Sequence, residues 1–509
     1  MRTHPRLSCI LLSLVVPYQN VLVAAAIRIS PPASAPDGAK SVSQGFLGFG
    51  IEGRSFADYA GTENANEFSK NLLSTFSSKT GVPVHIRVGG TTTDHSKFDP
   101  AQTNQATKNT TTENGLRTNI TFGTPWVEGF KHWDNVLYTL QVPFARKNLS
   151  NAIELVRACI NAMPNQVQDL EAIEIGNEPN LYPGADRNAS YSPANYAREW
   201  DSFAGAMLGN ISRLNGKEWF QAMAFAWKAN PPWTVENVFD ANINRDGFVK
   251  TVSQHYYQGR KGDSLTNVLM NHTNTVSTMR SAFQAAINSS HSHGNTPFVL
   301  GEVGSALEGG FVLGNSLGAA LWTVDFMLHS MTMGIKRVSM QLGTNFDFPS
   351  WQPITVANGR PAAVHGNFYG QVFVADFIGK EGNLSITALS TDGHPNVVPY
   401  AGYNSGRLSK VAIIDLQAYD DDDDRPTRDI NLTGLDDGIQ RVRVGRLTAL
   451  GGSTTQEGVT WAGKQWTKAS NGTAVGPDET VVLDVKNGSP VGIVTIRASE
   501  ALLVEIVRE

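Results

Sequence analysis

The sequence predicts an α/β protein, a (β/α)8 TIM barrel with a C-terminal β-sandwich domain, and three observations carry that prediction. Apolar runs of strand length recur from Phe46 to Leu342, helix-length amphipathic stretches separate them, and beyond about Gly359 the chain turns to short β-rich runs divided by Gly, Asn and Asp. Runs that are apolar throughout suit parallel strands buried on both faces. Eight such units over roughly 300 residues suit a closed barrel. At 509 residues the chain also exceeds the size at which one core keeps growing, so a second folded unit is expected.

The N-terminus comes first. Arg2 and Arg6 precede the apolar run Leu7 to Val16, and the small residues Ala24, Ala25 and Ala26 follow. That order predicts a secretory leader over residues 1–26, because the run is too short to span a bilayer. An N-terminal segment, 27–45, leads to the barrel at 46–358, and the sandwich occupies 359–509. The predicted barrel strands are Phe46 to Ile51, Val82 to Val88, Leu137 to Phe144, Leu170 to Ile175, Phe220 to Trp227, Val249 to Tyr257, Phe298 to Glu302 and Arg337 to Leu342. Helices are predicted over Ala65 to Ser78, Leu149 to Ala162, Pro193 to Leu214, Thr275 to Asn288 and Asn315 to Met333, most of them opening near a Ser, Asn or Asp cap. A doubly wound sheet has the same local pattern, but no Gly-rich phosphate fingerprint follows the first strand.

Composition narrows the function. A formal charge of −5 offers no basic field for a phosphate backbone, so nucleic acid is not an expected partner. The same balance argues against a long polyanionic ligand, whereas a single sugar carboxylate demands much less. Acceptor sequons at Asn109, Asn119, Asn148, Asn188, Asn210, Asn271, Asn288, Asn383, Asn431, Asn471 and Asn487 support a secreted, extracellular glycoprotein. Cys9 falls in the leader, which leaves Cys159 without a partner and predicts a buried, inert thiol. Asp420 to Asp424 reads as a solvated turn. No paired Cys/His cluster for a metal is present.

Two motifs carry the chemistry. In Glu174-Ile175-Gly176-Asn177-Glu178-Pro179-Asn180 an apolar strand ends in Asn-Glu-Pro, which places Glu178 on the catalytic rim of a barrel with Asn177 beside it. In Pro297-Phe298-Val299-Leu300-Gly301-Glu302 a second apolar strand ends in a carboxylate. Three strand–helix units of about 40 residues fit the gap, so Glu178 would end the fourth strand and Glu302 the seventh, facing each other across the mouth. A pair of carboxyl groups about 5 to 5.5 Å apart is what retaining glycoside hydrolysis requires, one to attack the anomeric carbon and one to protonate the leaving oxygen. The expected roles are nucleophile for Glu302 and acid/base for Glu178, with no metal and no cofactor.

These motifs resemble a clan of retaining glycosidases. His85-Ile86-Arg87-Val88-Gly89-Gly90-Thr91-Thr92-Thr93-Asp94 with Phe98-Asp99-Pro100, and Gln254-His255-Tyr256-Tyr257, narrow the resemblance to glycoside hydrolase family 79, the heparanase and β-glucuronidase family, over nearly the whole chain after the leader. The resemblance implies removal of a terminal β-linked glucuronic acid, with or without a 4-O-methyl group. A monomer is expected, and no membrane partner, since no stretch after the leader reaches membrane-spanning length. The resemblance also implies that Ile27 to Ile29 joins the sandwich. Glu52 would accept hydrogen bonds from sugar hydroxyls, Gly90 and Thr91 would line the sugar pocket beside Asn177, and one of Tyr256 and Tyr257 would point inward to the nucleophile. Donors near Gly343 to Phe348 would read the sugar carboxylate. Family members often place a tyrosine there, where this chain has Phe346 and Phe348, so backbone amides or Tyr369 would substitute. Trp126, Trp227 and Trp351 could form stacking walls or simply pack. The alternatives are an endo-acting heparanase-like hydrolase, a clan member for another sugar such as a xyloside or arabinofuranoside, and a carbohydrate-binding protein on a degenerate barrel.

Overall fold

A computed structural model describes residues 26–109, 119–227, 230–307, 313–391, 393–420 and 425–508. Residues 1–25 of the leader expected over 1–26, and most of the acidic run, lie outside the described residues. Eight parallel strands close a barrel in chain order: Leu47–Glu52, Val84–Gly89, Val136–Val142, Leu170–Ile175, Phe220–Phe225, Val249–Arg260, Phe298–Leu307 and Val338–Leu342. The first, fifth and eighth are buried at every residue, as strands covered on both faces must be. Strands six and seven run further than the apolar pattern indicates, because their parallel pairing continues to Arg260 and Leu307. Glu302 therefore sits within a strand rather than at its end.

Helices cover the barrel, and their starts are chemically marked. Asn66, Asn148, Ser192, Asn271 and Ser316 each accept a hydrogen bond from a backbone N–H in the first turn of the helix that follows. One helix departs from the expected layout. Gly366–Ile378 lies past the expected boundary of the sandwich, yet it packs against the barrel helices Leu317–Thr332 and Glu67–Thr80 as the barrel's eighth helix. It lacks an amphipathic signature because the barrel buries one side and the sandwich the other.

The sandwich strands then begin at Leu384. A nine-stranded sheet is built mainly from Leu384–Ala388, Val397–Asn404, Arg407–Asp415, Ile439–Thr448, Val481–Lys486 and Glu500–Arg508. A three-stranded sheet faces it, in which Ile27–Ile29 pairs in parallel with Ile430–Leu432. Ile27, Ile29, Val411, Ile413, Ile430, Val442, Ile496, Leu502 and Val504 fill the space between.

The two units are joined by side chains with apolar bodies and polar tips. Tyr400 donates to Asp325 Oδ1 at 2.8 Å, Trp461 Nε1 to Asp376 Oδ2 at 2.7 Å and Trp466 Nε1 to Thr75 Oγ1 at 3.0 Å. Cys159 is buried in the helix Leu149–Ala162, and burial raises its thiol pKa well above the usual range. No helix among the described residues is long and apolar enough to cross a membrane.

Candidate active site

Barrel strands deliver their C-terminal ends to one rim, and the site forms there. After strand four the chain turns sharply, and Glu178 adopts a left-handed conformation, φ 51° and ψ 50°, unusual for a residue with a side chain. Its backbone N–H donates to Ala224 O at 3.0 Å, which ties the turn to strand five. Strand six supplies His255, whose Nδ1 lies 2.9 Å from Glu178 Oε1 and 3.9 Å from Glu302 Oε2. Atoms of Glu178, His255 and Glu302 all lie within 4.8 Å of one another. The two glutamates thus meet over His255 from opposite sides of the mouth.

Around Glu302 the barrel places donors. Tyr257 OH donates to Oε1 at 2.5 Å and Arg87 Nη1 to Oε2 at 2.8 Å. Burial alone would raise the pKa of this carboxyl, but His255, Arg87 and Tyr257 together hold it below the usual range, so it stays ionised. Arg87 is itself held by Glu174, whose Oε1 accepts from Nε at 2.8 Å and Nη2 at 2.6 Å, and by Asn177 Oδ1 at 2.8 Å. Gln221 Nε2 satisfies the other Glu174 oxygen at 2.5 Å. A buried arginine between two buried carboxylates gives each a charged hydrogen-bond partner while balancing one of the two negative charges.

Glu52, at the end of strand one, accepts from the backbone N–H of Thr92 at 3.2 Å and from the Thr92 hydroxyl. Burial, reinforced by the charge of Glu302 and opposed by the Thr92 bonds, raises its pKa to about 7. Gly90 lies against it with φ 110°, and an added Cβ would stand 2.1 Å from Glu52 Oε2. Only glycine fits there. Thr91 is exposed beside it, and its hydroxyl is 3.5 Å from Asn177 Nδ2.

The structure thus brings Glu52, Gly90, Thr91, Asn177, Glu178, Tyr257 and Glu302 to one rim. Tyr256 lies elsewhere: successive strand residues point to opposite faces, and its ring stacks on Phe326 in the layer outside the barrel while its hydroxyl donates to Thr278 Oγ1 at 2.9 Å. Tyr369 is also removed from the rim. It sits on the eighth helix, where its hydroxyl donates to Trp466 O at 3.2 Å in the sandwich. The amides of Thr344, Asn345 and Phe346 are bonded to Ser55 Oγ, Gln352 Oε1 and Gly343 O, so the loop after strand eight spends these donors internally. Trp126 and Trp351 are buried, donating to Gly53 O and Ser69 Oγ, whereas Trp227 remains 38% exposed on the rim.

Sequence reasoning did not single out Arg87, Glu174 and His255 as site residues, although all three lie inside its motifs. A charged or ionisable group in an otherwise apolar strand was the available signal. Glu178, His255 and Glu302 are also the only group among the described residues with a ligand set for a metal. Arg87, in contact with Glu302, opposes a cation there by charge.

A (β/α)8 barrel with two glutamates converging on its mouth defines a glycoside hydrolase. The C-terminal segment 399–503 matches the glycosyl hydrolase family 79 C-terminal β domain. Along the chain, a β-glucuronidase of Aspergillus niger is 32% identical over 423 residues, 76% of this chain and 74% of that one. A β-glucuronidase of Neurospora crassa is 29% identical over 436 residues, 77% and 75% of the two chains. The crystal structure of a 4-O-α-L-rhamnosyl-β-D-glucuronidase from Fusarium oxysporum, in its Rha-GlcA complex, superposes with a TM-score of 0.80 at 23% identity, over 94% of this chain and all of that one. The chain belongs to glycoside hydrolase family 79.

Proposed function

We propose that this protein is a secreted, exo-acting β-glucuronidase that retains anomeric configuration. The observation that carries the mechanism is the approach of Glu178 and Glu302 carboxylate oxygens to within 4.8 Å around His255, which fits the short separation of double displacement and leaves little room for a water between them. Glu302, kept ionised by Arg87 and the Tyr257 hydroxyl, attacks the anomeric carbon. Glu178 protonates the departing oxygen and then takes a proton from the water that frees the sugar. Asn177, Gly90, Thr91 and Glu52 line the sugar pocket in this reading. Near neutrality Glu52 holds a proton part of the time, so it can donate as well as accept.

Glucuronic acid as the sugar rests on the two fungal relatives. Arg54, exposed just after strand one and close enough for its charge to act on Glu52, is proposed as a partner for the sugar carboxylate in place of Tyr369. Secretion is supported by the sequons: Asn148, Asn188, Asn210, Asn288, Asn383, Asn431, Asn471 and Asn487 are exposed and Asn271 is half-buried. The side chains of Asn109 and Asn119 lie outside the described residues.

Aryl β-glycosides of glucuronic acid, 4-O-methylglucuronic acid, glucose and xylose, together with an aryl α-L-arabinofuranoside, test the sugar. The glucuronides should be cleaved fastest. Proton NMR of the first product should show the β anomer, and Glu302→Gln should abolish turnover. An α anomer as first product, or full activity in Glu302→Gln, would sink the mechanism. Preference for a neutral sugar would sink the specificity.

A further inference from the structure

A general acid must stand on the side of the scissile bond where the leaving group lies, so whatever flanks Glu178 meets the aglycone. Two large apolar side chains of the barrel remain strongly exposed among the described residues, Leu181 at 47% and Trp227 at 38%, and both flank Glu178. The other large hydrophobics exposed to this degree, such as Leu450, Val482 and Ile493, lie in the sandwich. Leu181 is in the turn that begins at Glu178, its N–H donating to Glu178 O at 2.9 Å. Trp227 follows strand five, to which the Glu178 backbone is tied through Ala224.

The two loops are fastened together. Asn180 accepts from Ala226 N at 3.0 Å and donates to Ala226 O at 3.3 Å, a two-point clamp between the neighbours of Leu181 and Trp227. Trp227 is held in a left-handed conformation, φ 43°, and its carbonyl accepts from Gln254 Nε2 at 3.3 Å. The Arg260 guanidinium lies 4.5 Å from the indole centroid, and Tyr256 meets the indole edge-on at 6.1 Å. Solvated apolar groups pinned in this way, one in a backbone conformation rare for a residue with a side chain, form a preorganised surface rather than incidental exposure.

We infer that Trp227 and Leu181, with Arg260 lying over one face of the indole, form the subsite for the leaving group, and that its occupant is a sugar ring. The indole's other face takes the C–H face of a pyranose, and the guanidinium supplies N–H donors for ring hydroxyls. The favoured substrate is therefore a glucuronosyl oligosaccharide. This deepens the function proposed above and rests on Glu178 as the acid.

The test compares kcat/KM for methyl β-D-glucuronide with that for a glucuronosyl disaccharide ending in a neutral hexose, in the parent protein and in Trp227→Ala, Trp227→Phe and Leu181→Ser. The parent should prefer the disaccharide. Trp227→Ala should cut that preference about tenfold, the scale of one lost ring contact, Leu181→Ser by less, and Trp227→Phe should keep most of it. Equal losses on both substrates would overturn the subsite and make Trp227 a support for the Glu178 turn; an unchanged preference in Trp227→Ala would overturn it as well. Should the parent cleave neither glucuronide, the sugar assignment fails by itself, and the same ratio is read on methyl and disaccharide forms of the glycoside it does cleave.

Discussion

Replacing Tyr257 by Phe removes one hydroxyl and little else, and the structure fixes what that should do. The hydroxyl donates to Glu302 Oε1 at 2.5 Å inside a buried site, and burial together with the neighbouring carboxylate raises its pKa well above 10, so it remains a donor at any working pH. A hydrogen bond to a charged acceptor contributes about 1.5 to 3 kcal/mol, and 1.36 kcal/mol corresponds to one pH unit of proton affinity. Arg87 and His255 persist in the variant and take up part of the loss. The pKa of Glu302 should therefore rise by about one pH unit. With Glu302 as the proposed nucleophile, activity needs it ionised and is lost as pH falls through that value, so the acid limb of kcat/KM should move to higher pH. Plateau activity should fall about tenfold or more. The adjacent Tyr256→Phe is the control, because that hydroxyl contacts Thr278 outside the barrel and should leave the limb in place. The reasoning is refuted if both variants move the limb equally, or if Tyr257→Phe moves it to lower pH.

Gly90→Ala should cost about 1 to 3 kcal/mol, lowering the melting temperature by several degrees, since the residue holds φ 110° and its new methyl would meet Glu52; calorimetry with a KM measurement checks this, and a stable, fully active variant would contradict it. At the junction of barrel and sandwich, burial opposes a charge on His272, but Asp325 at 2.9 Å outweighs it and raises the pKa. A raised folded value means that stabilisation is complete below the unfolded pKa of about 6.5 and fades as pH rises through the folded value. The melting-temperature gap between the parent and His272→Ala should therefore be widest near pH 5 and narrow above pH 7. A gap that widens with pH would contradict the assignment.

Much of this molecule is legible before folding because parallel strands announce themselves as unbroken apolar runs. Leu170 to Ile175 and Leu149 to Ala162 have the same limits in sequence and structure. The eighth helix was illegible for the converse reason. Gly366–Ile378 carries apolar residues all round its axis, and nothing within that stretch reveals that two domains will cover it. Among site residues, the tyrosine ambiguity held one unused clue. His255 and Tyr257 are two residues apart and share a face, so a histidine needed at the carboxylates selects Tyr257 over Tyr256. Tyr369 illustrates a limit of another kind, because a residue far along the chain can be directed to the rim only by helix placement, which local pattern does not record. Arg87 and Glu174 escaped because a buried ion pair is invisible until both strands are in register.

The parallel pairing of Ile27–Ile29 with Ile430–Leu432 has a consequence for biogenesis. Ser30 and Thr433, which exchange a hydrogen bond beside it, stand 403 residues apart. On a ribosome the first of these strands emerges long before its neighbour has been translated, so the small sheet can close only when synthesis is almost finished. Until then Ile27 and Ile29 lack the partners that bury them in the finished sandwich.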